Sequence, residues 1–96
     1  MYLENDLRRK LRNKFREDFN QLMRCYKYFK TLEPDIEFYL YEDFNEDNPN
    51  RLYYRLDILN STKCVASKAN VNFKRMVDYI TKWYYLTVER NYTITQ

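Results

Sequence analysis

Glycine and histidine are both absent from this sequence. Without glycine, phosphate-cradling loops of the Walker or dinucleotide type and the usual nucleophile elbow are excluded. Without histidine, the chain lacks the commonest general base, the commonest zinc ligand and every Ser-His or Cys-His nucleophile pair. Cysteine occurs twice, as Cys25 and Cys64, so a four-ligand structural zinc site would need carboxylates to complete it. No apolar run approaches the ~20 residues of a membrane span, and the start carries no signal-peptide core. Met1-Tyr2-Leu3-Glu4 reads as the native start of a small protein. The expected compartment is the reducing cytoplasm, with both cysteines as free thiols. There the sequons at Asn60-Ser61-Thr62 and Asn91-Tyr92-Thr93 mean only polar surface.

Against these absences stand eleven tyrosines and an uneven distribution of charge. The 96 residues, 45% hydrophobic and 32% charged, fit one folded domain, residues 1–96, with an adequate core. From Arg8 to Lys30 nine basic residues face two acidic ones, a local net of +7. From Glu33 to Asp47 seven acidic residues stand without a basic one, a local net of −7. The overall +3 hides both blocks. Like charges held close repel unless the fold or a partner compensates them, so the split bears on how the surface is used.

Leu3, Leu7, Leu11, Phe15, Phe19, Leu22, Tyr26 and Phe29 recur at helical spacing, within an arc of roughly 160°. The spacing predicts one helix from about residue 3 to 31, ended at Pro34. Such a rod is roughly 43 Å long against a domain diameter near 32 Å. Dimerisation through its overhanging part is therefore expected, with a break near Asn13 as the alternative. Ile36–Tyr41 alternates like a strand, Asn45–Asn50 is a turn, and Arg51–Leu59 is a second strand. Cys64–Ser67 is a short third strand. Phe73, Met76, Val77, Ile80 and Tyr84 return to helical spacing to about Arg90, with Asn70 or Asn72 as N-cap. The expected class is α+β: a long N-terminal helix, an antiparallel hairpin or three-stranded sheet, and a C-terminal helix. Double-stranded-RNA-binding domains and several other small α+β folds share this order. Those domains place glycine before the second helix and a lysine cluster at its start. Here Ser67-Lys68-Ala69-Asn70 stands there, with Lys74-Arg75 further on, and order alone identifies no family.

Two surfaces invite a functional reading. Arg9, Arg12, Arg16, Lys27 and Lys30 project opposite the apolar arc of the first helix, a cationic stripe able to track phosphates or simply to be solvated. If Ile36, Phe38 and Leu40 face the core, Tyr39 and Tyr41 face away, as do Tyr53 and Arg55 on the next strand. Such a patch suits a protein interface, base stacking, or cover by the chain's last segment. Beside it lie Glu42, Asp43, Glu46 and Asp47, an acidic hairpin able to dock on a basic surface. Asp43, Asn45 and Asp47 match the start of a calcium loop, but Asn48 replaces its glycine and Tyr54 its bidentate glutamate. Asp57, Glu37 and Lys63 lack the tight spacing of a nuclease centre. Cys25 lies on the apolar side of its helix and reads as core filling.

The expectation is a non-enzymatic protein without cofactor or metal, cytoplasmic and dimeric. Its leading function is that of a protein-binding regulator or inhibitor, of the kind phages and viruses use for host takeover. It would contact a protein target, such as a handler of nucleic acid, through the acidic hairpin and the tyrosines. The alternative is a nucleic-acid-binding module using the basic helix stripe with the sheet tyrosines as a stacking platform.

Overall fold

Six elements follow one another as α1 (Asn5–Lys14), α2 (Arg16–Leu32), β1 (Ile36–Asn45), β2 (Asn48–Asn60), β3 (Lys63–Asn70) and α3 (Phe73–Thr95). The structure, a computed structural model, describes residues 1–95, with side chains except at Asn45, Pro49, Asn50 and residues 88–95. The class is α+β, with three helices and a three-stranded antiparallel sheet.

The single helix expected over residues 3–31 is two helices parted at Phe15, whose φ of −130° and ψ of 53° leave the helical region. The apolar pattern explains the break. Leu3, Leu7, Leu11, Phe15 and Phe19 recur every four residues, and each step overshoots a full turn by about 40°. A straight rod would carry that stripe about 160° around its axis, too far to face a one-sided core. Instead the Phe15 ring lies 6.2 Å from Tyr54 and 5.3 Å from Phe73, and α2 begins with a reset face, burying Phe19, Leu22, Cys25 and Phe29. The hydrogen-bond ladder survives on both sides: Phe15 N–H donates to the Leu11 carbonyl at 2.7 Å and Phe19 N–H to that of Phe15 at 2.8 Å. At about 15 and 26 Å, α1 and α2 both fit within a molecule measuring 49 × 27 × 23 Å. The single rod of roughly 43 Å from which a helix-mediated dimer was expected is replaced by two shorter helices. The longest rod is α3, 23 residues and about 35 Å. With no glycine or proline after Asn72 to stop it, α3 runs five residues beyond the expected Arg90.

The strands pair in the order β1-β2-β3. Phe38 opposite Ile58 and Leu40 opposite Leu56 put the apolar residues of both strands on one face, as alternation requires. The β1–β2 turn is tighter than expected, Glu46-Asp47 between paired Asn45 and Asn48. Register then jumps from Asn48 to Leu52, so Pro49 falls where no ladder donor is needed. The third strand is twice the expected length. Lys68 and Asn70, expected in a loop, pair with Leu56 and Tyr54, and the Lys68 ammonium lies 4.3 Å from the centre of the Tyr79 ring on α3. Val65 forms a bulge, since Ala66 pairs with Ile58 and Cys64 with Leu59. At the other edge, residues 1–3 join β1: Tyr2 N–H donates to the Phe38 carbonyl and Leu40 N–H to that of Tyr2.

All three helices lie on the apolar face. Phe15 beside Phe73, Gln21 bonded to Thr81 and Tyr28 beside Tyr84 show α2 and α3 running side by side in the same direction. Asn72 caps α3, its side-chain oxygen accepting from Arg75 N–H at 3.2 Å. Phe38, Leu56, Ile58, Phe73, Met76 and Ile80 are fully buried. Phe29 joins sheet and helix, its ring 6.0 Å from Phe38 and 4.5 Å from Tyr84. Cys25 is in this core, its thiol pushed up to about 12 by burial, while Cys64 is exposed.

The basic and acidic sequence blocks meet at two points. Lys10 on α1 pairs with Glu42 on β1 at 2.9 Å, and Lys30 on α2 with Glu37 at 3.2 Å. Glu37 also accepts from the Met1 ammonium at 2.9 Å and from the Tyr26 hydroxyl. Partial burial works to raise the Glu37 carboxyl, but hydrogen bonds from Tyr26, Met1 and Lys30 outweigh it and hold it at about 2.

Phe38→Ala should cost about 3–5 kcal/mol, read by urea unfolding with the fluorescence of Trp83, which packs 5.6 Å from Phe29. Glu37, depressed below its ordinary 4.5, contributes stability that is fully present above that value and drains away as pH falls toward 2. Glu37→Gln should therefore lower stability at neutral pH by about 1.5–3 kcal/mol and flatten the acid limb of a pH–stability curve.

Candidate functional site: the uncovered face of the sheet

Because every helix packs on the apolar face, no helix among the described residues lies over the opposite face of the sheet. Cover by the chain's last segment, one expected role for this face, does not occur: α3 packs on the other side with Tyr84 in the core. The pairing register brings Tyr39 opposite Asp57, Tyr41 opposite Arg55, and Asp43 opposite Tyr53. The four expected patch residues, Tyr39, Tyr41, Tyr53 and Arg55, thus form one surface. Tyr2 extends it, exposed and with its ring 5.7 Å from that of Tyr39.

Asp57 organises the patch. Its carboxylate accepts from the Tyr41 hydroxyl, from the Ser67 hydroxyl at 2.6 Å and from Arg55 Nε at 3.3 Å. Partial burial acts to raise this carboxyl, yet the donors Ser67, Tyr41 and Arg55 outweigh it and hold it below the usual range. The same bond raises Tyr41, whose hydroxyl is held protonated by the carboxylate it donates to. Asp43 similarly receives the Tyr53 hydroxyl at 3.3 Å and the Phe44 N–H at 2.8 Å. Two rings are therefore fixed through their hydroxyls, before any partner arrives. The sequence marked Asp57 only as lacking, with Glu37 and Lys63, the spacing of a nuclease centre. Its place opposite a tyrosine, between two more donors, follows from the register and from β3 reaching Ser67.

The acidic group divides. Asp43 lies on the tyrosine face, and Glu46 and Asp47 form the exposed turn at its end. Glu42 does not belong with them: it points to the helix side, where Lys10 holds it and hydrogen bonding to Glu42 raises the Lys10 ammonium. Of the basic set, Arg9, Arg12, Arg16 and Lys27 are exposed. Lys30 is engaged with Glu37 and with the Pro34 carbonyl, and lies over the Tyr26 ring. Glu37 and Asp57 serve different sets of donors. A groove of about 590 Å³ runs between α2 and α3, with Tyr28, Tyr84 and Tyr85 along it and Arg24 at its side.

Comparison with protein-family models, with curated proteins and with solved structures finds no match for this chain. The geometry is left to speak for itself. The open face presents two rings held through their hydroxyls, a paired arginine and an acidic rim.

Asp57→Asn keeps the shape of the side chain but weakens three hydrogen bonds to a charged acceptor. The expected loss is about 1–3 kcal/mol, with faster ring flipping of Tyr41 in aromatic NMR spectra as the local signature.

Proposed function

We propose that this chain is a small protein-binding regulator or inhibitor whose docking surface is the open sheet face, and that its target presents a basic surface. The observation that carries this reading is the tyrosine row of the open face, exposed at Tyr2 and half-buried at Tyr39, Tyr41 and Tyr53, with Tyr41 and Tyr53 held by Asp57 and Asp43 and the row continuous with the Glu46-Asp47 turn. Tyrosine and arginine are the side chains that most often dominate binding energy at interfaces. Rings ordered in advance lose less entropy on binding. The acidic rim supplies the steering charge.

Carboxylates interleaved with the rings favour a protein over a nucleic acid at this face. Asp43 and Asp57 sit among the tyrosines, so a phosphate backbone laid across them meets like charge, whereas lysine and arginine side chains of a protein meet opposite charge. The reading is of a binding protein that acts by occupying its target.

The test is isolation of the partner with tagged protein from the source cell, followed by calorimetry with the purified pair. Tyr39→Ala with Tyr53→Ala should weaken binding by roughly thirtyfold or more. Glu46→Gln with Asp47→Asn should slow association and reduce its salt dependence. Wild-type affinity in a folded tyrosine variant would defeat the proposal.

A further inference from the structure

The layered fold separates the two charge blocks more thoroughly than their contacts at Lys10 and Lys30 remove them. On α1, Leu7 and Leu11 are buried and Arg9 and Arg12 stand exposed on the opposite side. On α2, Phe19, Leu22, Cys25 and Phe29 are buried and Arg16, Arg24 and Lys27 are exposed. At about 100° per residue these three fall within an arc of about 80°. Among the described residues, none of these five side chains makes an ion pair or a side-chain hydrogen bond, whereas Lys10, Lys30 and Lys74 each hold a carboxylate. Glu17 is the acid that shares their side of α2. Its neighbour Asp18 acts on Lys74 of α3.

We infer that the solvent side of the two-helix rod is a second binding site, which takes the phosphate backbone of duplex nucleic acid without reading its sequence. Five unneutralised cations are held on the solvent sides of two consecutive helices, α1 and α2, whose undersides are fixed by the core. Arg16 to Lys27 spans about 16 Å, a length over which a duplex presents about nine phosphate charges. Guanidinium groups, four of the five, match phosphate oxygens in forked pairs. The acidic, tyrosine-bearing sheet face lies on the other side of the molecule, so attraction and repulsion agree on which layer faces the nucleic acid. A single strand is a poorer fit. It is usually held by rings on which bases stack, and among the described residues the cations that lie over a ring are Lys14, Lys30 and Lys68, none of these five. This site is independent of the sheet-face reading, and either can fail without the other.

Fluorescence anisotropy with short mixed-sequence DNA and RNA duplexes, from about 50 to 200 mM salt, tests the site. Both duplexes should bind, and for DNA log K should fall with log salt at a slope of about −4 to −5, five contacts at ~0.9 each. Arg9→Glu, Arg12→Glu and Arg16→Glu together should weaken binding at least tenfold and flatten the slope by about 3. Arg24→Glu with Lys27→Glu, confined to α2, should flatten it by about 2; circular dichroism verifies folding. Tyr39→Ala with Tyr53→Ala should leave the affinity unchanged. No binding tighter than ~100 μM at low salt, wild-type affinity in folded charge variants, or an equal loss in the tyrosine variant would each overturn the inference.

Discussion

One-sided burial governs this molecule. A three-stranded sheet has two faces, and only one can be covered when two side-by-side helices and a short third exhaust the available helix. Phe29 and Phe38 lie where the two layers meet, their rings 6.0 Å apart, and hydrophobic burial there is the main source of cohesion. Every other feature is arranged around that seam. The helix that would have overrun it bends at Phe15. The long helix that closes it, α3, supplies Phe73, Met76, Val77 and Ile80 at 0% exposure. The uncovered face follows from the same constraint, since no element remains to cover it.

Much of this plan was legible in the residues. Alternation over Ile36–Tyr41 marked Phe38 and Leu40 as inward, and it marked Tyr39 and Tyr41 as outward. The outward placement of Tyr53 and Arg55 followed from the same period of two, whereas their register opposite Asp43 and Tyr41 is set by the tighter turn and the shift at Phe44/Asn45. The helix break stood in the sequence only as the alternative to a single rod, near Asn13, two residues short of Phe15. An apolar arc of roughly 160° built from steps of four is a drifting stripe, and drift signals a bend. The length of β3 was not legible. Ser67, Lys68, Ala69 and Asn70 have weak strand preference and become strand because Asp57, Leu56, Arg55 and Tyr54 offer them a ladder. Likewise, the role of Tyr2 depends on an edge of β1 that exists only once the sheet has formed.

The charge split has a double outcome. Consecutive blocks of opposite sign became neighbouring elements, and Lys10–Glu42 and Lys30–Glu37 tie them together. Exposed pairs of this kind add little stability; Glu37, with three donors, is the better anchored. What the fold leaves over is a surface divided by sign, cations on the outer side of α1 and α2 and carboxylates around the tyrosines. The small net charge describes neither side.

The edges of the sheet limit how anything can attach to it. Residues 1–3 occupy the β1 edge with their own backbone bonds. At the β3 edge, Val65 interrupts the ladder as a bulge, and lysines stand at positions 63 and 68, two devices that keep a foreign strand from adding on. Both edges of the sheet thus carry features that hinder strand addition, Tyr2 over the middle of β1 and the bulge with its lysines on β3, which leaves the side chains of its open face as the larger accessible surface.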